Sequence, residues 1–186
     1  MSMLTIPRAT LDDLYRVEGK AELIDGRIVP MASGHLPSTV AGNIFVDLRI
    51  HTKTIKRGRA YADGTGFAIS ELPSGRESFA PDVSYYDGPL PRNLMRFIEG
   101  PPMCAIEVRS ENDYGDAAED VIAAKRNDYF LAGTLAVWDV DPQAEIIRLY
   151  VASNPSEPTL LRRGDIAHAE PAVPGWRMSV DEVFAR

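Results

Sequence analysis

The stretch Met103-Cys104-Ala105-Ile106-Glu107-Val108-Arg109 places one carboxylate inside an otherwise apolar run. A short apolar run of this kind predicts a buried strand. Because side chains alternate across a strand, Glu107 and Arg109 share one face, and Ile106 points into the core on the other. Burying a charge without a partner is costly, so Glu107 should have a functional or structural partner nearby.

Two other charged residues also lie among apolar neighbours. Asp82 heads a strand-like run, and Lys125 falls in the apolar stripe of a predicted helix, four residues after Val121 and four before Tyr129. A divalent metal ion held by Asp82 and Glu107, with Lys125 close by, would explain all three charges at once. This pattern favours metal-dependent phosphodiester chemistry.

Each of these residues also has a purely structural interpretation. Asp82 could end a turn, Glu107 could pair with Arg109 or with a lysine, and Lys125 could extend its ammonium group into solvent from the edge of the stripe. The sequence leaves these alternatives open.

Composition limits the class of protein. The 186 residues fit one domain over residues 1–186, and no apolar run or N-terminal leader pattern suggests a membrane span or export, so we expect a cytoplasmic protein. One cysteine and three scattered histidines give no zinc-ligand spacing. Any metal should therefore be a hard, oxygen-bound ion such as Mg²⁺ or Mn²⁺.

Charge is unevenly distributed, although the net charge is −7. The segment 49–59 contains five basic residues and no acid, whereas residues 107–120 contain six acids and one base. Such a basic patch would attract phosphates, but a solvated helix end beside an acidic helix start explains it equally well. The candidate phosphate contacts are Arg49, Lys53, Lys56, Arg57, Arg59, the Arg162–Arg163 pair and His35, which could instead cap the loop before the basic helix.

Periodicity and turn residues predict a mixed sheet flanked by helices, an α/β or α+β fold. The predicted helices cover residues 11–17, 40–55 with Ser38 or Thr39 as cap, and 116–133, which opens on a capping box at 116–119 and stops at Gly133. The predicted strands cover a hairpin at 21–30 and residues 61–69, 79–86, 103–109, 135–140 and 145–151. The tail 176–184 predicts a strand end and a short helix capped by Ser179.

The order of these motifs resembles the Uma2 family (DUF820), bacterial proteins of the PD-(D/E)xK, or restriction-endonuclease-like, superfamily. The resemblance covers about residues 5–184 and rests on five segments: Glu22-Leu-Ile-Asp-Gly-Arg-Ile-Val, Pro81-Asp-Val-Ser, Ile106-Glu-Val-Arg-Ser, Lys125 with Tyr129 and Gly133, and Val137-Trp-Asp-Val-Asp-Pro. It implies a mixed central sheet with a catalytic site at one end.

The resemblance also implies roles for individual residues. Asp82 and Glu107 would bind the metal together with the main-chain carbonyl of Val108, and Glu22 would complete the acid cluster directly or through water. Lys125 matches the family's catalytic lysine, which lies on the helix after the strand. Arg109 occupies the usual lysine position of the strand and, because it stays protonated, could only contact phosphate or stabilise charge.

We therefore expect a Mg²⁺- or Mn²⁺-dependent endonuclease acting on DNA. The alternative is a DNA-binding or protein-interaction module that keeps the nuclease fold without turnover. Cutting both strands of a duplex would require a homodimer or two passes.

Overall fold

A six-stranded mixed sheet forms the centre of the computed structural model, which describes residues 8–31 and 33–186. The helices are α1 (Leu11–Leu14), α2 (His35–Ile55), α3 (Asp116–Ala132) and α4 (Val180–Val183). The strands are β1 (Ala21–Ile24), β2 (Arg27–Pro30), β3 (Arg59–Tyr61), β4 (Phe67–Ala68), β5 (Ser78–Phe79), β6 (Val83–Tyr86), β7 (Ile98–Glu99), β8 (Cys104–Val108), β9 (Ala136–Asp141), β10 (Ile146–Val151), β11 (Asn154–Arg162), β12 (Ile166–Ala169) and β13 (Val173–Ser179).

The central sheet has the order β11-β10-β9-β8-β6-β3. Strands β8 and β9 are parallel, and every other neighbouring pair is antiparallel. The helix α3 connects the two parallel strands, as a crossover between parallel strands requires. The predicted mixed sheet flanked by helices is therefore confirmed.

Layers cover the sheet on both faces. On one face, α2, α4 and the β12–β13 hairpin bury Ile106 and the stacked indoles of Trp138 and Trp176. On the other face, α3 and the small β5-β4-β7 sheet bury Ala105 and Tyr129. Burial on both faces explains why β8 is an almost continuous apolar run.

The helix α2 begins earlier than the sequence predicts. Its first residue is His35 and its N-cap is Gly34, which makes no side-chain capping bond, so neither Ser38 nor Thr39 caps it. Pro37 is compatible with the first turn because the amide hydrogens there have no intrahelical acceptor. His35 is therefore helical and exposed, and the predicted loop position was wrong.

The helix α3 begins and ends where expected, but its N-terminus is capped differently. Gly133 terminates it in the left-handed conformation, with φ of 110°. The predicted capping box is wrong because Gly115 is the N-cap, and the Glu119 carboxylate pairs with Arg109 instead. The inward face is also narrower than predicted: Tyr129 is fully buried, whereas Val121 is 68% exposed.

Other local predictions have mixed outcomes. The hairpin at 21–30 and the antiparallel β9–β10 pair are confirmed, and Ser179 caps α4 by accepting a hydrogen bond from the Asp181 N–H. The single strand predicted at 61–69 is instead β3 and β4 in different sheets, because a turn at Asp63-Gly64 separates them. Strands β7, β11 and β12 carried no clear signal in the sequence.

Within the described residues, no helix has the length and apolarity that a membrane crossing requires.

Candidate active site

The sheet topology brings Asp82 and Glu107 to the same end. Asp82 immediately precedes β6, and Glu107 lies near the end of β8. The strand β8 runs antiparallel to β6 and places Ile106 opposite Val83. The Asp82 Oδ2 atom accepts a hydrogen bond of 2.7 Å from the Val108 N–H. The two acids therefore border one pocket at the rim of the sheet.

The β1–β2 hairpin supplies the third acid, Glu22. Hydrogen bonds from the Leu23 N–H to Ser78 Oγ (2.7 Å) and from the Glu77 N–H to the Leu23 carbonyl (3.0 Å) hold β1 beside the segment before β6. The Glu22 side chain is 2% exposed, and its Oε1 accepts a 2.9 Å hydrogen bond from the Ala80 N–H. Local main-chain contacts thus fix a carboxylate beside the pocket.

Lys125 joins two of these acids. Its Nζ lies 3.0 Å from Glu22 Oε1 and 2.9 Å from Glu107 Oε1. The Tyr129 hydroxyl, one helical turn further along α3, donates to the same Glu107 oxygen at 2.5 Å. The structure therefore brings together all four residues that the sequence singled out, Glu22, Asp82, Glu107 and Lys125.

Arg76 is a site residue that the sequence interpretation missed. Its guanidinium pairs with Glu22 Oε2, and its Nε donates to Asp128 Oδ2 at 2.9 Å. Both oxygens of Glu22 thus already have partners, which favours Glu22 as the residue that holds Lys125 rather than as a direct metal ligand. Arg76 lies in a turn-rich segment without periodicity, so no pattern pointed to it.

Lys20 is a second missed residue. Its side chain is 10% exposed, and its Nζ lies 2.5 Å from Asp82 Oδ1 and 2.8 Å from Asp63 Oδ1. The spacing contained a usable signal, because Lys20 is two residues before Glu22 and alternation places both side chains on one face of an extended segment.

Arg109 lines the pocket, but its donors are engaged within the protein. All five of its N–H donors are used: they reach both oxygens of Asp139, both oxygens of Glu119 and the Asp113 carbonyl. The guanidinium is 4% exposed, and its pKa is raised, chiefly by the hydrogen bonds to Asp139. The expected phosphate contact is corrected to a structural ion pair, because no donor remains for a phosphate.

The basic run lies away from the acid pocket. In the register of β3 and β6, Arg59 lies opposite Tyr86. Tyr86 is four residues after Asp82, so Arg59 lies roughly 13 Å from Asp82 towards the opposite end of the sheet. Arg57 pairs with Asp87 at 2.6 Å, also at that end. Arg49, Lys53 and Lys56 are exposed on α2 or at its end, and neither they nor His35 line the pocket. Arg163 is paired with Glu145 and Asp181.

The electrostatics of the pocket separate the two glutamates. Burial raises the pKa of Glu107, and the neighbouring Asp82 and Glu22 carboxylates add to that rise against the opposing effect of Lys125. Burial also disfavours the charge of Glu22, but Lys125 and Arg76 outweigh it and lower the Glu22 pKa. Glu22 is therefore firmly ionised, whereas Glu107 takes up a proton more readily.

The lysines of the pocket remain charged. Burial works against both ammonium groups, but the Glu107 and Glu22 carboxylates raise the pKa of Lys125. Asp82 and Glu107 raise the pKa of Lys20 in the same way. Both residues are thus fixed positive charges at neutral pH.

The oxygen donors suit a hard divalent cation. Among the described residues, no three His, Cys, Asp or Glu side chains converge closely enough to hold a metal by themselves. The Arg109 N–H donates to the Val140 carbonyl on the neighbouring strand β9. Because main-chain groups of successive strand residues point to opposite sides, those of Val108 point away from β9, and its N–H donates to Asp82. Two carboxylates and the Val108 carbonyl, completed by water, fit Mg²⁺ or Mn²⁺. Asp82, one of these two carboxylates, is already paired with the Lys20 ammonium.

A mixed sheet with paired acids and a helix-borne lysine at one end has the architecture of the restriction-endonuclease-like class. The chain belongs to the Uma2 family, whose model is described as "Putative restriction endonuclease" and matches residues 9–181.

A solved structure gives the same fold. It is described as "a putative nuclease belonging to DUF820" from Anabaena variabilis ATCC 29413, and it is 19% identical to this chain with a TM-score of 0.70. The match covers 94% of this chain and 97% of that one. Among curated proteins, none matches.

Proposed function

We propose that this chain is a Mg²⁺- or Mn²⁺-dependent endonuclease that hydrolyses phosphodiester bonds of DNA. The observation that carries the proposal is the Lys125 ammonium, held between Glu22 and Glu107 at 3.0 and 2.9 Å beside Asp82. The descriptions of the family and of the solved structure as nucleases support nuclease chemistry in general.

Asp82, Glu107 and the Val108 carbonyl would hold the ion. When bound, a divalent ion supplies a Lewis acid that polarises a phosphoryl oxygen and makes water more acidic. The Glu107 and Glu22 carboxylates raise the pKa of Lys125, which favours the protonated ammonium over the role of a general base. Lys125 would instead orient the attacking water and stabilise the extra negative charge of the transition state.

Glu22 and Tyr129 would position the reacting groups. Glu22 and Glu107 both contact the Lys125 ammonium, and Arg76 fixes Glu22 in turn. The Tyr129 hydroxyl occupies one lone pair of Glu107 Oε1, and its ring is held by stacking on Phe79 with centroids 4.0 Å apart. This arrangement leaves Glu107 Oε2 for the ion.

The test is cleavage of supercoiled plasmid by purified protein with Mg²⁺, with Mn²⁺ or with EDTA. We expect metal-dependent nicking that falls by about 10²-fold or more in Glu107→Ala and Lys125→Ala. Glu182→Ala on α4 and Arg92→Ala in the loop before β7 are matched controls because they truncate exposed side chains outside both the pocket and the basic run. Activity in EDTA, or unchanged activity in both pocket variants, would refute the proposal.

A second candidate is a nucleic-acid-binding module without turnover. The position of the basic run favours it, since DNA bound between Arg49 and Arg59 would contact the end of the sheet opposite the acids. This candidate predicts retention of DNA in EDTA and no cleavage with either metal, and the plasmid assay followed by gel retardation separates the two functions.

A further inference from the structure

Lys20 occupies the only Asp82 oxygen that the main chain leaves accessible. Asp82 Oδ2 is engaged by the Val108 N–H at 2.7 Å, and Asp82 Oδ1 is engaged by Lys20 Nζ at 2.5 Å. Both groups are largely buried, with 10% of each side chain exposed. A metal ion approaching Oδ1 would therefore meet an ammonium group already in contact with that oxygen.

The same ammonium already contacts a second carboxylate. Asp63, in the turn between β3 and β4, places Oδ1 2.8 Å from Lys20 Nζ, and its side chain is 45% exposed. The four-carbon stem of a lysine allows the ammonium to leave Asp82 and keep its contact with Asp63 without a change in the main chain. Lys20 thus lies between one buried and one half-exposed carboxylate.

The local charge leaves room for a divalent ion. Two groups of ion pairs surround the acids, and together they contain five carboxylates and three cations, a formal excess of two negative charges. The first group is Lys20 with Asp63 and Asp82, and the second is Arg76 and Lys125 with Glu22, Glu107 and Asp128. Two cations in contact with one carboxylate oxygen repel each other strongly in a buried site. Lys20 and the metal therefore compete for Asp82, although the pocket as a whole accommodates both charges.

We propose that Lys20 is a built-in competitor of the metal ion: its ammonium bridges Asp82 and Asp63 in the metal-free protein, and it leaves Asp82 and is held by Asp63 alone when a divalent cation binds. The inference rests on the proposed function only in taking Asp82 as a metal ligand. It assigns Asp63 as the receiving carboxylate, outside the metal's own ligands. The affinity for metal is then set by this exchange as well as by the ligands.

The test is calorimetric titration of Mn²⁺ into the protein without nucleic acid, using wild type, Lys20→Met, Asp63→Asn and the double variant. Removing the competitor should tighten Mn²⁺ binding about tenfold in Lys20→Met. Asp63→Asn should weaken binding severalfold in the wild-type background, because the displaced ammonium loses its acceptor. In the Lys20→Met background, the same Asp63→Asn change should have almost no effect.

The double variant distinguishes exchange from simple charge attraction. If Asp63 acted only through its negative charge, its loss would weaken Mn²⁺ binding equally in both backgrounds, and that result would overturn the proposal. Unchanged affinity in Lys20→Met would overturn it as well. Asp82→Asn is the ligand control and should lose binding; wild-type affinity in that variant would remove the basis of the inference.

The readout is independent of cleavage. Mn²⁺ binding with the expected coupling but without plasmid nicking would support the exchange and refute the nuclease, whereas nicking without coupling would do the reverse. Circular dichroism checks that each variant is folded. Lys20→Gln, which keeps a hydrogen-bond donor for Asp82 but no charge, takes the place of Lys20→Met should that variant fail to fold.

Discussion

At the scale of single residues, the pocket consists of buried charges that each have a partner. Glu22 shows this most clearly, because only 2% of the residue is exposed. Its two carboxylate oxygens form ion pairs with Lys125 and Arg76 and accept a hydrogen bond from the Ala80 N–H. Breaking a buried pair by removing one member is strongly destabilising because the other charge is left uncompensated. The positions of the catalytic candidates are therefore coupled to the stability of the fold.

Replacing Glu22 by Gln should reveal this coupling through pH. The pKa of Glu22 is lowered from 4.5 to about 2 in the folded protein. Its ionised form therefore stabilises the fold above pH 4.5, and that contribution disappears as pH falls from 4.5 towards 2. We expect Glu22→Gln to lose roughly 3 kcal/mol of unfolding free energy at pH 7, and the difference from wild type to shrink between pH 5 and pH 3.

Urea unfolding of both proteins at pH 7, 4 and 3 measures this difference. Because the Glu22 carboxylate also raises the pKa of Glu107, the same comparison in a Glu107→Gln background isolates the contribution of Glu22. A difference that stays constant over this range would contradict the lowered pKa.

At the scale of elements, Arg109 joins three parts of the fold. It extends from the end of β8, pairs with Asp139 on β9 and reaches Glu119 in the first turn of α3. Asp139 is paired with Glu107 in the parallel register, so this ion pair lies directly beside the candidate metal ligand. The arginine therefore fixes the strand end from which Glu107 projects.

Substituting the two members of this pair separately and together tests the structural role. Arg109→Leu leaves the Asp139 carboxylate buried without its main partner and should cost about 3–5 kcal/mol of unfolding free energy. The double variant Arg109→Leu/Asp139→Leu should recover most of that loss, because two apolar side chains of suitable size can replace a buried ion pair. Chemical denaturation measures both; a double variant less stable than the single one would show that Arg109 does not act through Asp139.

At the scale of the whole molecule, opposite charges lie at opposite ends of the central sheet. The acids are at the start of β6 and the end of β8, whereas the basic run leads into β3 beside the end of β6. Under the proposed function, DNA long enough to reach both ends would be attracted by the basic run and cut at the acids. Such an arrangement separates binding from chemistry.

Charge reversal in the basic run should therefore change binding more than turnover. Lys53→Glu/Lys56→Glu should weaken DNA binding about tenfold at physiological salt and reduce the salt dependence by about 0.9 for each phosphate that the variant no longer neutralises. The rate at saturating DNA should stay near wild type, because neither lysine borders the pocket. Fluorescence anisotropy at several salt concentrations and single-turnover cleavage measure the two effects.

Arg92→Glu is the matched control, since it reverses an exposed basic residue outside the run. A fall in the saturated cleavage rate without a change in affinity would place the basic run in the chemistry instead.

Periodic and turn signals made much of the fold predictable. The Asp25-Gly26 turn, the β9–β10 pair, Gly133 and the Ser179 cap each depend on neighbouring residues, and each is confirmed. The start of α2 and the caps of α2 and α3 were wrong because glycines serve as N-caps where hydroxyl or carboxylate caps are the usual choice. The long strand β11 carried no clear alternation because it lies exposed at the edge of the sheet.

The sequence by itself determined which charged residues required an explanation. A Glu in an apolar strand and a Lys on the inward face of a helix are both expected to be buried, and a buried charge is costly without a partner. Only the tertiary structure decided their partners. Lys20 and Arg76 approach the acids from loops and turns, Asp63 reaches Lys20, and Arg109 is held by Asp139. Ion pairs between residues distant in sequence leave no periodic signal, since their geometry exists only once the sheet has brought the ends of its strands together.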